Sequence, residues 1–149
     1  MKFIADVMLG RLAKRMRLLG FDVLYDRTLN DNEVIRLSLE QDRIILTRDT
    51  GMAARPLATN HLFIKSGFVR EQIEQFLSAF SNEAPRPLTR CSECNDILDQ
   101  IAKEEARNFV PRYVYEKKGS FLRCPRCGRI YWKGTHVQRM ALPKSMKIK

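Results

Sequence analysis

The chain contains four cysteines, arranged as two pairs, Cys91-x2-Cys94 and Cys124-x2-Cys127. A two-residue gap lets both thiolates of a pair approach one ion from a tight turn, and two such turns complete a tetrahedral four-thiolate zinc site. A segment organised this way can fold with little apolar core of its own. Residues 95–123, the 29 positions between the pairs, exceed the roughly 15–20 of the commonest ribbons. An inserted hairpin or helix is therefore expected there. Residues 96–108 have helical composition, whereas 112–115 (RYVY) and 120–123 read as strands.

Disulfides are the competing reading of the cysteines, and a cytosolic setting disfavours them. A redox CxxC motif needs one pair only, and the flanking Arg123, Pro125, Arg126 and Gly128 are those of a zinc knuckle. His136 is an alternative ligand that four available cysteines make unnecessary. A site closed by four thiolates is structural, because no coordination position is left for chemistry.

Charge separates the same two parts of the chain. Residues 1–84 carry 12 Lys+Arg and 11 Asp+Glu, whereas residues 85–149 carry 15 and 6. The excess of nine positive charges therefore lies with the cysteines, and a basic surface attracts phosphates and releases counterions from nucleic acid. Within it, Trp132, Lys133 and His136 fall in an aromatic and basic run, Ile130–His136. That run can stack on bases or support the metal site, and both readings stay open. Residues 141–149 form a basic tail. No run of about 20 apolar residues is present, so no membrane span is expected. The acid at Asp6, with no apolar stretch behind it, argues against a secretory signal and for a cytoplasmic protein.

Upstream of the cysteines, strand and helix signals alternate. Residues 2–6 and 21–25 read as strands, and residues 43–47 (RIILT) as a strongly β-branched strand followed by Arg48-Asp49. Residues 62–65 read as a fourth strand. Residues 8–20 carry Leu9, Leu12, Ala13, Met16 and Leu19 at helical spacing and stop at Gly20. Asn30 and Glu33 form a capping-box pattern for a helix to about Glu40. Residues 69–80 place Val69, Ile73, Phe76, Leu77 and Phe80 on one helical face. A loop with Gly51 and Pro56 is expected after the third strand. The alternation predicts an α/β domain over residues 1–84, with a parallel sheet covered on both faces. Two prolines in residues 82–90 mark a boundary, and residues 88–140 form the second module.

Three acids fall where an open parallel sheet binds its ligands, beyond the carboxyl ends of the strands. Asp6 ends the first strand, Asp31 opens the helix after the second, and Asp49 follows the third; Asp26 is a fourth candidate. Converging carboxylates repel unless a cation lies between them, and magnesium or manganese suits oxygen ligands. Such an ion acidifies a bound water and offsets charge on a phosphate oxygen. Taken singly, Asp31 can be a helix cap and Asp49 a turn residue.

Asp31 with the helix behind it, and Ile44-Ile45-Leu46-Thr47-Arg48-Asp49, resemble the second half of a PIN-type nuclease domain; Asp6 is similar to that family's first acid. More narrowly, the whole chain resembles the Mut-seven C-terminal ribonuclease family, in which a shortened PIN-like domain precedes a zinc ribbon. The matching pieces are Asp6 to Leu12, Leu18-Leu19-Gly20-Phe21-Asp22, Leu46-Thr47-Arg48-Asp49, Arg90-Cys91-x2-Cys94-Asn95, and Cys124-x2-Cys127 with Tyr131 to His136. The resemblance implies a PIN-like three-layer sheet with helices on both faces, a C-terminal zinc ribbon, and RNA cleavage by metal-activated water. It makes Asp6, Asp31 and Asp49 the ligands of a magnesium or manganese ion. One departure is evident: the helix after the first strand offers Arg11, Lys14, Arg15 and Arg17 where PIN nucleases carry a further acid.

The expected activity is thus a metal-dependent ribonuclease with a basic zinc ribbon that binds RNA, with tRNA, rRNA and the ribosome among the candidate partners. Arg11 and Arg48 are candidate phosphate contacts, and Lys14 a weaker one. The rival reading is a non-catalytic RNA- or ribosome-binding adaptor, and a third is a nuclease acting on DNA.

Overall fold

The computed structural model describes residues 1–134. Four short strands, β1 (Lys2–Ala5), β2 (Asp22–Leu24), β3 (Ile44–Thr47) and β4 (His61–Phe63), form a wholly parallel sheet in the order β2-β1-β3-β4. Parallel neighbours require crossover connections. These are supplied by α1 (Gly10–Leu18), α2 (Asp31–Gln41) and the single turn α3 (Thr50–Ala53), and α4 (Val69–Ala79) follows β4. A 3-10 turn, Val7–Leu9, leads from β1 into α1.

Alternation along the strands sends side chains to opposite faces, and two apolar clusters result. Phe3, Ala5 and Leu46 join Leu12, Met16, Ile73 and Phe76 from α1 and α4. Ile4 and Ile45 join Val34, Ile35 and Met52 from α2 and α3. Helices therefore cover both faces of the sheet, as the strand–helix alternation predicts. The first cluster is tied by edge-on aromatic contacts, with Phe3 4.8 Å from Phe76 and 4.9 Å from Phe80, and Phe21 5.0 Å from Phe76. Each such side chain contributes about 1.5–3 kcal/mol on burial.

The α2 helix starts as its sequence predicts: Asn30 accepts from the Glu33 amide, and the Glu33 carboxylate accepts from the Asn30 amide. The sequence predicts a loop with Gly51 and Pro56 after β3. Instead Asp49 caps the short α3 by accepting from the Gly51 amide at 2.8 Å.

The C-terminal part departs from the sequence reading. Its antiparallel sheet has the order β5-β6-β7, with β5 (Asp99–Ile101), β6 (Phe121–Arg123) and β7 (Ile130–Tyr131). Helical composition over 96–108 gives way to β5 because Asp99 to Ile101 pair with Arg123 to Phe121, leaving only α5 (Lys103–Ala106) helical. The strand expected at 112–115 is instead α6 (Arg112–Lys117), which begins after Pro111 and carries an Arg112–Glu116 pair one turn apart. The Tyr115 and Lys118 amides donate to the Pro111 and Val114 carbonyls, and Val114 packs inward beside Ala106 and Phe121.

Residues 82–90 return along the end of α1: the Arg86 and Leu88 amides donate to the Leu19 and Leu18 carbonyls. Gly20, at φ +94°, permits this return, because a Cβ there would lie 2.5 Å from the Arg86 carbonyl oxygen. The first cysteine turn then closes the open edge of the sheet. Val23 on edge strand β2 points its peptide groups outward; its N–H donates to the Asn95 side chain at 3.1 Å, and its carbonyl accepts from Arg17 Nε at 2.8 Å. Covering an edge in this way removes a template for aggregation.

Candidate functional site

Asp6 leaves β1, and Asp49 stands two residues beyond β3. β1 and β3 are neighbours whose connections run to opposite sides of the sheet, which is the switch point where open α/β sheets bind ligands. Thr47 joins the two acids. Its hydroxyl donates to Asp6 Oδ2 at 2.8 Å and accepts from the Asp49 amide at 2.9 Å. Thr47 is fully buried and Asp6 is 3% exposed. A buried carboxylate needs compensation by hydrogen bonds or a cation.

Asp31 is the first residue of α2, but the helix is capped by Asn30 and Glu33, so Asp31 is not needed as a cap. Arg55, after α3, donates to Asn32 beside it and ties the start of α2 to the segment following Asp49. Asp26 is accounted for locally: the Thr28 hydroxyl and amide both donate to its Oδ1, at 2.7 and 2.8 Å, and lower its pKa. Among the described residues, the four cysteines are the group of three or more ligating side chains whose donor atoms come within reach of one ion; the three acids do not close to that distance.

The cationic candidates divide. Arg11 lies exposed at the start of α1 and pairs with no acid among the described residues. Arg48 runs against Gly67, where a Cβ would lie 3.1 Å from Nη1, and its Nε is buried without a hydrogen-bond partner among the described residues. Lys14 pairs with Glu93 across the two parts of the chain. Trp132 packs edge-on to Phe121 at 6.4 Å within a small apolar cluster, and Lys133 is exposed. His136 and residues 141–149 lie outside the described residues.

The cysteine site is built by two equivalent turns. The Asn95 amide donates to the Cys91 carbonyl and the Cys91 amide to the Asp96 carbonyl; Gly128, Cys124 and Arg129 repeat this pattern. The residue after each pair takes a left-handed conformation, Asn95 at φ +68° and Gly128 at φ +77°. All four Sγ atoms lie within 4.8 Å of one another, with Cys91 and Cys127 at 3.7 Å. A tetrahedral ion with metal–sulfur bonds of about 2.3 Å has sulfur–sulfur edges near 3.8 Å. The four cysteines are thus positioned to bind a metal ion.

Burial raises the Cys91 thiol pKa, but hydrogen bonds from Tyr131 and from the Cys94 and Glu93 amides overcome it and hold the thiol at about 7. Burial and the neighbouring thiols push Cys94 up to about 12 and Cys124 upward. Thiols crowded this closely cannot all ionise without a cation. Tyr131 also braces the turn, accepting from the Ser92 amide at 3.0 Å.

Arg17 connects this site to the sheet. Besides Val23, its guanidinium donates to the Ser92 and Glu93 carbonyls at 3.0 and 3.1 Å, and it is 4% exposed. Asn95 also donates to Asp22, which pairs with Arg43 at 2.9 Å. Arg55 and Arg17 escape the sequence reading as site-building residues, whereas Thr47, Asn95 and Tyr131 stand in the motifs that carry the resemblance, Tyr131 in the run expected either to stack on bases or to support the metal site.

A parallel α/β sheet is thus joined to a pair of cysteine turns. The chain belongs to the Mut7-C RNAse domain family, which matches residues 1–142. No curated protein and no solved structure matches it.

Proposed function

We propose that the chain is a metal-dependent ribonuclease with a PIN-like three-layer catalytic domain and a structural zinc ribbon. The observation that carries this reading is the Asp6–Thr47–Asp49 linkage at the switch point, in a chain of an RNAse family. Asp6, Asp31 and Asp49 would hold magnesium or manganese. The donor set fits: all are carboxylates, and magnesium binds directly through one or two of them while keeping waters, a mode that does not require all three to meet at one point. When bound, the ion supplies an acidified water and offsets charge on the scissile phosphate.

The residues of the chain do the positioning. Thr47 fixes the orientation of Asp6 by donating to Oδ2, leaving its other oxygen to face a ligand. Asp49 has one oxygen committed to the Gly51 amide and one available. Arg11 and Arg48 would bind backbone phosphates, and the basic C-terminal part, with Trp132, Lys133 and His136, would add affinity for RNA. Cys91, Cys94, Cys124 and Cys127 would hold zinc, whose softness towards thiolate suits the site.

The test compares wild type and Asp49→Asn on single-stranded and structured RNA, with manganese and with EDTA. Asparagine keeps the cap to Gly51 but removes the charge. Wild type should cut in manganese only, and the variant should fall by roughly 100-fold or more, since even outer-shell changes at metal sites cost 10–100-fold. Equal cutting by both proteins, or by wild type in EDTA, would overturn the reading. The acid-free α1 favours one alternative, a non-catalytic RNA-binding adaptor. RNA binding by both proteins without cleavage of any substrate would establish that alternative, and preferential cutting of DNA would change the substrate class.

A further inference from the structure

Between the segments that follow β1 and β4 lies a cleft of about 290 Å³. Its walls are Met8, Leu9, Leu12 and Val69, with Arg11 and Gln72 as its polar members. It begins two residues after Asp6, so it opens at the same end of the sheet as the acids. Gln72 is 6% exposed, and its Nε2 donates to the Ser66 carbonyl at 2.9 Å. That bond fixes the amide, which has a second N–H and a carbonyl oxygen for another partner. Phe68 lies between two lining residues, Gly67 and Val69, yet is 75% exposed; Met8 is 63% exposed. Arg48 crosses Gly67 at the same edge.

Apolar walls, a fixed amide and Arg11 line the cleft, and the exposed Phe68 ring and Arg48 adjoin it next to Gly67, with neither arginine paired to an acid among the described residues. The apolar walls and the ring suit the face of a flat heterocycle, the amide suits its edge, and the arginines suit phosphate. The cleft has room for one base and none for a duplex. Resting on the ribonuclease reading above, we propose that this cleft holds one unstacked base of single-stranded RNA, with Arg11 and Arg48 on the adjoining phosphates. The enzyme therefore selects unpaired RNA and sets the cut by lodging a base beside Asp6.

The test reads binding rather than cleavage. Full-length Asp49→Asn in EDTA is titrated into a short labelled single-stranded RNA, and an abasic nucleotide is walked along the strand. An abasic nucleotide at one position should weaken binding about tenfold, the loss expected for one base–aromatic stack. Adding Phe68→Ala should cost the same factor and flatten the abasic profile, whereas Phe68→Tyr should restore it. Because Phe68 is exposed, the truncation leaves the fold intact, which far-UV circular dichroism verifies. A flat abasic profile in the parent, or an unchanged one in Phe68→Ala, overturns the proposal. Wild-type cleavage in manganese with a flat profile defeats this inference alone. A position-specific profile without cleavage upholds the base site and defeats the catalytic reading.

Discussion

The two parts of this chain hold themselves together by opposite means. The parallel sheet buries Phe3, Phe21, Phe76 and a continuous set of aliphatic side chains. Among the described residues the cysteine module has two small clusters, one of them built on Cys91 and Cys124 themselves. The first can fold by burying apolar surface; the second has four cysteines positioned to bind a metal ion that would hold it together. Their sites differ in the same sense. The cysteines are gathered by two local turns, so their geometry follows from sequence spacing. The acids lie at 6, 31 and 49, and strand order links only Asp6 and Asp49, through Thr47. The parts are joined by the Arg17, Asn95 and Asp22 hydrogen bonds at the sheet edge, with the Lys14–Glu93 pair and Leu18 of α1 packed against the cysteine cluster beside them.

Removing the metal should break the comparison most sharply. Binding free energy in small zinc modules is folding free energy, on the order of 10 kcal/mol. Chelation, or Cys124→Ser, should therefore abolish amide protection in β5, β6 and β7, while the parallel sheet persists with weakened protection in β2. Hydrogen exchange followed by mass spectrometry reads both regions at once. Elemental analysis should give one zinc per chain. Complete loss of protection in β1 and β3 would show that the two parts are one folding unit.

Arg17→Met comes next. It removes a buried cation and leaves the Val23, Ser92 and Glu93 carbonyls without their donor, a loss of about 3 kcal/mol. Urea denaturation should show the fall, with zinc content unchanged. If stability stays at the wild-type level, the edge contacts do not join the two parts.

Much of this arrangement was legible in the sequence, for identifiable reasons. Apolar spacing and the Asn30–Glu33 box locate α1, α2 and α4, a short apolar run locates β1 and a β-branched run locates β3. The CxxC spacing announces the cysteine cluster. The C-terminal secondary structure was not legible, because short elements there are chosen by partners. Asp99 to Ile101 become a strand only through β6, and the strand-like RYVY run turns helical after Pro111. Arg17 reads as one more charge on a basic helix; two of its carbonyl partners, Ser92 and Glu93, lie 75 and 76 residues away in sequence. The adjacency of Asp6 and Asp49 likewise needs the strand order β2-β1-β3-β4, which spacing does not encode.

Thr47→Val tests the acid end with a smaller effect. Valine keeps the volume but leaves Asp6 Oδ2 and the Asp49 amide without their partner, costing about 1–2 kcal/mol. Cleavage should fall in kcat, and Thr47→Ser should restore it. A stability loss without any kcat change would make Thr47 structural only.

Asp22 gives the smallest effect and a pH signature. Burial raises its pKa, but the bonds from Arg43 and Asn95 outweigh this, so the carboxyl is held below its ordinary value. A carboxyl whose folded pKa is depressed adds stability that is present above its unfolded pKa, near 4. That stability is lost as pH falls through the folded pKa. Thiolate protonation releases the metal over a similar acidic range, so wild-type stability alone cannot isolate Asp22. The difference between wild type and Asp22→Asn does isolate it, because the cysteines are common to both. Asparagine keeps an oxygen for Arg43 and Asn95 but lacks the charge, so the variant should be about 1 kcal/mol less stable at pH 7. Urea titrations at successively lower pH should show that gap shrinking towards zero below pH 4. A gap that stays constant with pH would mean that packing at the sheet edge, rather than the charge of Asp22, secures the cysteine module to the sheet.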